Sequence, residues 1–207
     1  MQNLIVDKDN AIIRYTYCTK PQDYYTDKDT QKIDEKLYYE VTKFVTYKYD
    51  LKTKETKELN NVKDYMIIRA YKDNWVYYVD YENNMAKNAL FKMDINTEKT
   101  ETVLTNNAIK NSWDGTTQTN VLANEILVAD KKNRTEYFYD LAGNLKNTLK
   151  NTDWFAVNEY EDFYLLVDKN GYGIYNIKRF INKEDYIAGM KDYKVAGLPK
   201  ASDNFNN

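Results

Sequence analysis

At 207 residues, the chain is long enough for one well-buried domain or two small ones. Its 30 basic and 32 acidic residues are interspersed and leave a net charge of -2, which argues against nucleic acid as a partner. With no histidine and a single cysteine, ordinary zinc and transition-metal sites and an intrachain disulfide are excluded. Cys18 lacks the basic neighbourhood or histidine partner that activates a thiolate, so it is expected to be an inert thiol. No segment approaches the ~20 apolar residues that cross a bilayer, so membrane insertion is not expected. Met1 to Val6 meets Asp7-Lys8-Asp9 too soon to form the apolar stretch of a secretion signal.

Taken in order, residues 1 to 19 predict two strands, Leu4-Val6 and Ile12-Tyr17, around an Asp-Asn turn. Residues 20 to 35 are polar without a sustained period and predict a long loop or a degenerate strand. Leu37-Tyr38-Tyr39-Glu40, Tyr47-Lys48-Tyr49-Asp50-Leu51 and Thr56-Lys57-Glu58-Leu59 then predict three strands of one meander. Tyr65 to Tyr71 predicts an opening strand, followed by Trp75-Val76-Tyr77-Tyr78-Val79-Asp80, Leu90 to Ile95 and Thr102-Val103-Leu104. β-branched and aromatic residues suit a pleated, half-buried surface, and the Asp and Asn residues between the runs suit tight turns.

The same grammar returns at Ile126 to Asn133, Tyr137 to Leu141 and Lys146 to Leu149. It returns again at Trp154 to Tyr160, Tyr164 to Gly171 and Gly173 to Ile177. Between Asn106 and Asn124 the opening strand is diluted by the turn residues of Ser112-Trp113-Asp114-Gly115. From Asp50 to Asp94 to Asp140 to Asn176 the steps are about 44, 46 and 36 residues, the range of four-stranded propeller blades. Phe180 to Met190 predicts a short helical turn, and Tyr193 to Leu198 a last strand that completes the first unit ahead of Leu4.

A lone meander cannot bury both of its faces, so copies must stack on one another. The expected fold is therefore all-β: a β-propeller of about five blades, incomplete or irregular, built from repeated antiparallel meanders. One domain is expected over 1–207, with units of roughly 1–35, 36–63, 64–106, 107–151 and 152–200. An open meander or a β-sandwich is the rival architecture.

The repeated acids Asp7, Asp80, Asp130 and Asp168, and Asp50, Asp94 and Asp140, invite a calcium or catalytic reading. Their spacing by whole repeats puts them on separate blades, and Asp-Lys-x-Asn is hairpin chemistry, so turn formation is expected of them. Asp168-Lys169-Asn170-Gly171 lacks the acids of a calcium loop. No Gly-rich phosphate cradle and no nucleophile elbow appears. Accordingly no catalytic residue, metal ligand or cofactor is expected. The candidates for ligand contact are aromatic and polar residues on or before the opening strands: Tyr65, Arg69, Tyr71, Trp113, Asp114, Trp154 and Asn158. Such side chains are favoured at binding hot spots; packing of one blade on the next is the competing use.

Val76-Tyr77-Tyr78-Val79-Asp80 resembles the Tyr-Trp-Thr-Asp strand of low-density-lipoprotein-receptor-type propellers and their bacterial TolB-like relatives. Lys92-Met93-Asp94-Ile95 falls near that family's next strand, and Tyr139-Asp140-Leu141-Ala142-Gly143 resembles its Leu-Asp-Gly turn. The resemblance covers most of residues 36 to 178 and departs from the signature at its Trp and Thr. It implies a bacterial extracellular, cell-surface or periplasmic binding role; a cytoplasmic location stays open from composition. The expected function is a noncatalytic binding or scaffold domain that recognises a protein, peptide or glycan through one mouth of the propeller. The alternatives are a glycan-cleaving hydrolase with a carboxylate pair at that mouth, and a piece of a larger propeller acting as a spacer.

Overall fold

The computed structural model describes residues 3–63, 65–80, 88–109, 117–170 and 177–195. Within them the strands form four sheets of four strands each, and every sheet runs in chain order, as the blades of a β-propeller do. The first sheet holds β1 (Asn3–Asp7), β2 (Asn10–Cys18), β3 (Thr42–Asp50) and β4 (Thr56–Glu58). The second holds β5 (Met66–Lys72), β6 (Trp75–Asp80), β7 (Ala89–Asp94) and β8 (Thr100–Thr105). In the third are β9 (Thr117–Val121), β10 (Glu125–Asp130), β11 (Thr135–Asp140) and β12 (Leu145–Lys150). The fourth comprises β13 (Trp154–Tyr160), β14 (Phe163–Asp168), β15 (Arg179–Asn182) and β16 (Lys194–Val195).

The blade count among the described residues is four, against the expected five or so, for one local reason. Leu37 to Glu40 is helical: α1 spans Glu35–Val41, and the Asp34 carboxylate accepts from Leu37 N at 3.1 Å. That is an N-cap, and the helix stops where the Thr42 hydroxyl donates back to Tyr38 O at 2.6 Å. A four-residue apolar run has no period with which to tell helix from strand, so the cap decided it. The units expected over 1–35 and 36–63 therefore share one sheet. β2 and β3 pair from Asn10↔Asp50 to Cys18↔Thr42, and residues 20 to 41 form an excursion between them. Thr19 closes its base, both N–H and hydroxyl donating to Val41 O. The end of the chain also departs from expectation: β16 pairs with β15 through Arg179↔Val195 and Phe180↔Lys194. It is the fourth strand of its own sheet and not an opening strand ahead of Leu4. The strand expected at Gly173 to Ile177 falls mostly outside the described residues, as does the diluted run at Ser112 to Thr116.

By packing, the chain divides into two compact units, Met1–Tyr78 with Lys92–Thr100, and Val79–Phe91 with Glu101–Asn207. In the first, Arg14 leaves β2 on the side of Ile12. Its guanidinium donates to Met66 O and, at 3.0 Å, to Lys63 O, and lies 4.7 Å from the Phe44 ring centroid. The opposite side of the same sheet carries Leu4 beside Ile13 and Tyr47, with Tyr15 stacked on Tyr47 at 6.0 Å. Leu4 and Val6 stay 67% and 57% exposed there.

The core of the second unit lies between its third and fourth sheets. Leu127 and Phe138 meet Ala156, Tyr164, Leu166 and Ile181, all nearly or completely buried. Tyr186 closes the cluster from α2 (Lys183–Ile187), a helix capped by the Asn182 side chain, which accepts from Glu184 N at 2.9 Å. The rings of Phe138, Tyr164 and Tyr186 stand edge-on or tilted at 5.5 to 6.2 Å from one another, the arrangement that aromatic quadrupoles favour. A second cluster of Ala129, Phe155, Val157 and Val167 fills the neighbouring space.

Gly143 sits at φ +87° in the β11–β12 hairpin, and a Cβ there would collide with the Val103 carbonyl. Gly189, at φ +77°, has room for one, with only Leu149 Cδ1 at 3.7 Å. Gly143→Ala is expected to lower the unfolding free energy by ~2 kcal/mol or more, and Gly189→Ala by about 1 kcal/mol. Urea midpoints of the two variants check the order; equal losses would show that the close approach at Val103 is unimportant.

Candidate functional site

The hairpins explain the recurring aspartates. At Asp50, Oδ1 accepts from Lys52 N and Thr53 N, and the carbonyl accepts from Lys54 N, which lies at φ +64°. Asp94 repeats this with Asn96 N, Thr97 N and Glu98 N, the last at φ +61°. Asp140 does the same one residue shorter, with Ala142, Asn144 and Gly143. A fourth copy lies at Asp27, which accepts from Asp29 N and Thr30 N and is followed by Gln31 at φ +56°. Asp-x-x-Thr is thus a loop signature at 27, 50 and 94, and the Asp27 copy is one that repeat spacing did not flag. Asp130 and Asp168 cap their own turns through Asn133 N and Asn170 N. Hydrogen bonds from these backbone amides hold the carboxyls of Asp27, Asp50 and Asp94 below their usual range, and at Asp140 the Asn144 side chain leads. Of Asp7 only the backbone is described.

Of the ligand-contact candidates, Tyr65, Arg69 and Tyr71 belong to the first unit and Trp154 and Asn158 to the second, with Trp113 and Asp114 outside the described residues. Tyr65 is half-buried just before β5. On β5, Tyr71 is almost fully enclosed and its hydroxyl donates to the Asn74 side chain at 3.1 Å. Arg69 is half-buried, and its Nε is shielded from solvent with no acceptor among the described residues. On β13, Trp154 is half-buried, with the Arg179 guanidinium 4.6 Å from its ring and Tyr193 at 6.1 Å. Asn158 is exposed at a register irregularity in β13, and its side chain accepts from Glu159 N at 2.8 Å.

A second set of polar groups, absent from the sequence candidates, is gathered in the second unit. Glu136, on β11, is completely buried. Its Oε1 accepts from Ala156 N at 3.1 Å, and its Oε2 lies 2.7 Å from the Tyr186 hydroxyl. Burial pushes this carboxyl up to about 8, against the pull of the Tyr186 and Ala156 contacts. Burial also raises Glu125 on β10, opposed by its hydrogen bond from the Tyr164 hydroxyl. Lys131, almost fully enclosed, is lowered by burial, with Asp168 and Glu136 opposing. Glu159 accepts from Ala123 N at 2.5 Å and pairs with Lys183. One sequence signal existed: Glu136 shares a strand face with Phe138, an acid on an apolar side.

Chemically, Glu136 is out of reach of any substrate, while Glu125 and Glu159 are each engaged by a neighbouring donor. Among the described residues no group of three acid or thiol side chains is placed to hold a metal ion, and no helix is long and apolar enough to cross a membrane.

No protein-family model matches the chain, and no curated protein matches it. Among solved structures, the chain is similar to the crystal structure of BamB from Moraxella catarrhalis. The identity is 10%, the TM-score is 0.32, and the match covers 81% of this chain and 69% of that one.

Because the hairpin aspartates are held below the free value of 3.8, their contribution to stability is present above that value and lost as pH falls through the folded one. A triple Asp50→Asn, Asp94→Asn, Asp140→Asn variant should melt lower at neutral pH and lose less on acidification than the unaltered chain. Melting curves from neutral to strongly acidic pH check this, and parallel curves would disprove it.

Proposed function

We propose that the protein is a noncatalytic binding or scaffold domain whose partner is a protein or peptide. The reading rests chiefly on Arg69. Arginine and tyrosine are residue types favoured at binding hot spots, and the Arg69 side chain is only half-buried. A carboxylate or backbone carbonyl from a partner that meets it makes a charge-assisted bond with the guanidinium. Arg69 lies on an opening strand with Tyr65 just ahead of it, and both are half-buried and therefore partly reachable. Trp154 and Asn158, on β13 in the second unit, are the remaining candidates.

The same reading draws support from where the acids have gone. Asp27, Asp50, Asp94 and Asp140 hold turns, and Glu125, Glu136 and Glu159 are bonded inside the second unit. A glycan-cleaving site needs two carboxyls roughly 5–10 Å apart that a sugar can enter between. A bacterial extracellular or periplasmic setting, and kinship with the Tyr-Trp-Thr-Asp and TolB-like propellers, belong to this proposal as its natural context.

Peptide and glycan arrays probed with the purified chain test it. Binding to peptides that carry acidic side chains is expected, falling about tenfold in Arg69→Ala and less in Arg69→Lys, in line with loss of one charge-assisted bond. Glycan turnover that disappears in Glu125→Gln or Glu159→Gln would instead establish the hydrolase.

A further inference from the structure

We propose that the open face of the first sheet is an isologous dimer interface, on which a second copy of this chain stacks the same face.

Alternation along the strands makes the two faces of that sheet opposites. Ile12, Arg14 and Thr46 point to one side and are buried, each 5% exposed or less. Their neighbours Ile13, Tyr15 and Val45 point to the other side and stay half-exposed. On that side Leu4, Val6 and Tyr17 are exposed outright. Apolar side chains scattered over a surface are ordinary, but these adjoin one another across three strands. A contiguous patch of that kind marks an interaction surface.

The register says what the face fits. Tyr17 pairs with Lys43, Tyr15 with Val45, and Ile13 with both Leu4 and Tyr47, beyond which lies Glu58. These are three rows across the sheet, about 7 Å apart. Lys43 and Glu58 are the only charged side chains on this face among the described residues, and both are exposed. They stand in the outer rows, one on each side of the Tyr15–Val45 row. A two-fold axis laid along that middle row, between two stacked faces, exchanges the outer rows. Tyr17 of each copy then rests on Ile13 of the other, between Leu4 and Tyr47. Each Lys43 lies over Tyr47 of the other copy, beside its Glu58. The apolar side chains are covered, and opposite charges meet once on each side of the axis. An unrelated partner would need no such symmetry in this face. A second copy needs one charge of each sign placed evenly about a row, and that is what the strands carry.

Size sets the strength. Nine paired residues of β2 and β3, and strands about 4.8 Å apart, give a footprint of roughly 400–500 Å² per copy. That is about half of a standard interface, so the dissociation constant is expected on the order of micromolar.

Sedimentation velocity of the unaltered chain from about 1 to 300 µM should show monomer giving way to dimer. Leu4→Lys, at an exposed position, puts a charge into both halves of the contact and should weaken association about a hundredfold. Lys43→Glu alone and Glu58→Lys alone should each weaken it about tenfold. An equimolar mixture of those two variants should associate as tightly as the unaltered chain, because opposite charges meet again on both sides of the axis. A chain that stays monomeric throughout would leave this face to a different occupant and overturn the proposal. A dimer indifferent to Leu4→Lys, or a mixture no tighter than its components, would overturn it as well. Should Leu4→Lys fail to fold, the mixed pair decides alone. Arg69 lies on β5, outside this face, so peptide binding through it is read independently.

Discussion

A β-meander has two faces, and its side chains alternate between them, so each sheet must find cover on both sides or leave apolar surface in water. Within the second unit that constraint is met by the aromatic contact of Phe138, Tyr164 and Tyr186, with Leu127 and Leu166 completely buried around it. A fully buried leucine contributes roughly 1.5–3 kcal/mol and each aromatic pair about 0.5–1.5 kcal/mol more. The rest follows from this packing. Tyr186 brings α2 onto the cluster, and its hydroxyl meets the buried Glu136 carboxyl. In the first unit the constraint is met on one side only: Arg14 ties one face of the first sheet to the segment before β5, while Leu4 and Val6 remain open on the other.

Polar groups divide the work between edges and interior. At the hairpins, aspartates spend their oxygens on successive backbone amides, leaving the following residue free to take a positive φ. The third sheet's version substitutes Gly143 because a neighbouring backbone comes too close for any side chain. In the interior, Glu136, Tyr186, Thr152 and the Trp154 carbonyl are joined in one hydrogen-bonded cluster. Of the acids that repeat in the sequence, Asp50, Asp94, Asp130, Asp140 and Asp168 form turns. The acid with the most perturbed surroundings does not repeat at all, which is why spacing could not find it.

The two departures from expectation have different causes. Leu37-Tyr38-Tyr39 has the composition of a strand, yet it is helical between the capping carboxylate of Asp34 and the return bond from Thr42, both within four residues of their partners. The last strand, expected as an opening strand ahead of Leu4, pairs instead with β15. The first outcome is marked locally, by a cap outweighed in composition by strand-forming residues; the second depends on which edge lies alongside in the folded chain, and a strand carries no mark of that.

Sequence alone determined the alternation, the turn chemistry and their recurrence at steps of about 36 to 46 residues, because a strand's period and a hairpin's dihedral demands are local properties written in adjacent residues. It therefore determined an all-β repeat and a set of structural aspartates. Tertiary structure alone decided that, among the described residues, the sheets number four, that Tyr71 is enclosed while Arg69 is half-buried, and that the buried Glu136 accepts from a tyrosine hydroxyl fifty residues away. Burial and hydrogen-bond partnership are set by what the folded chain brings alongside, and no stretch of sequence contains its own surroundings.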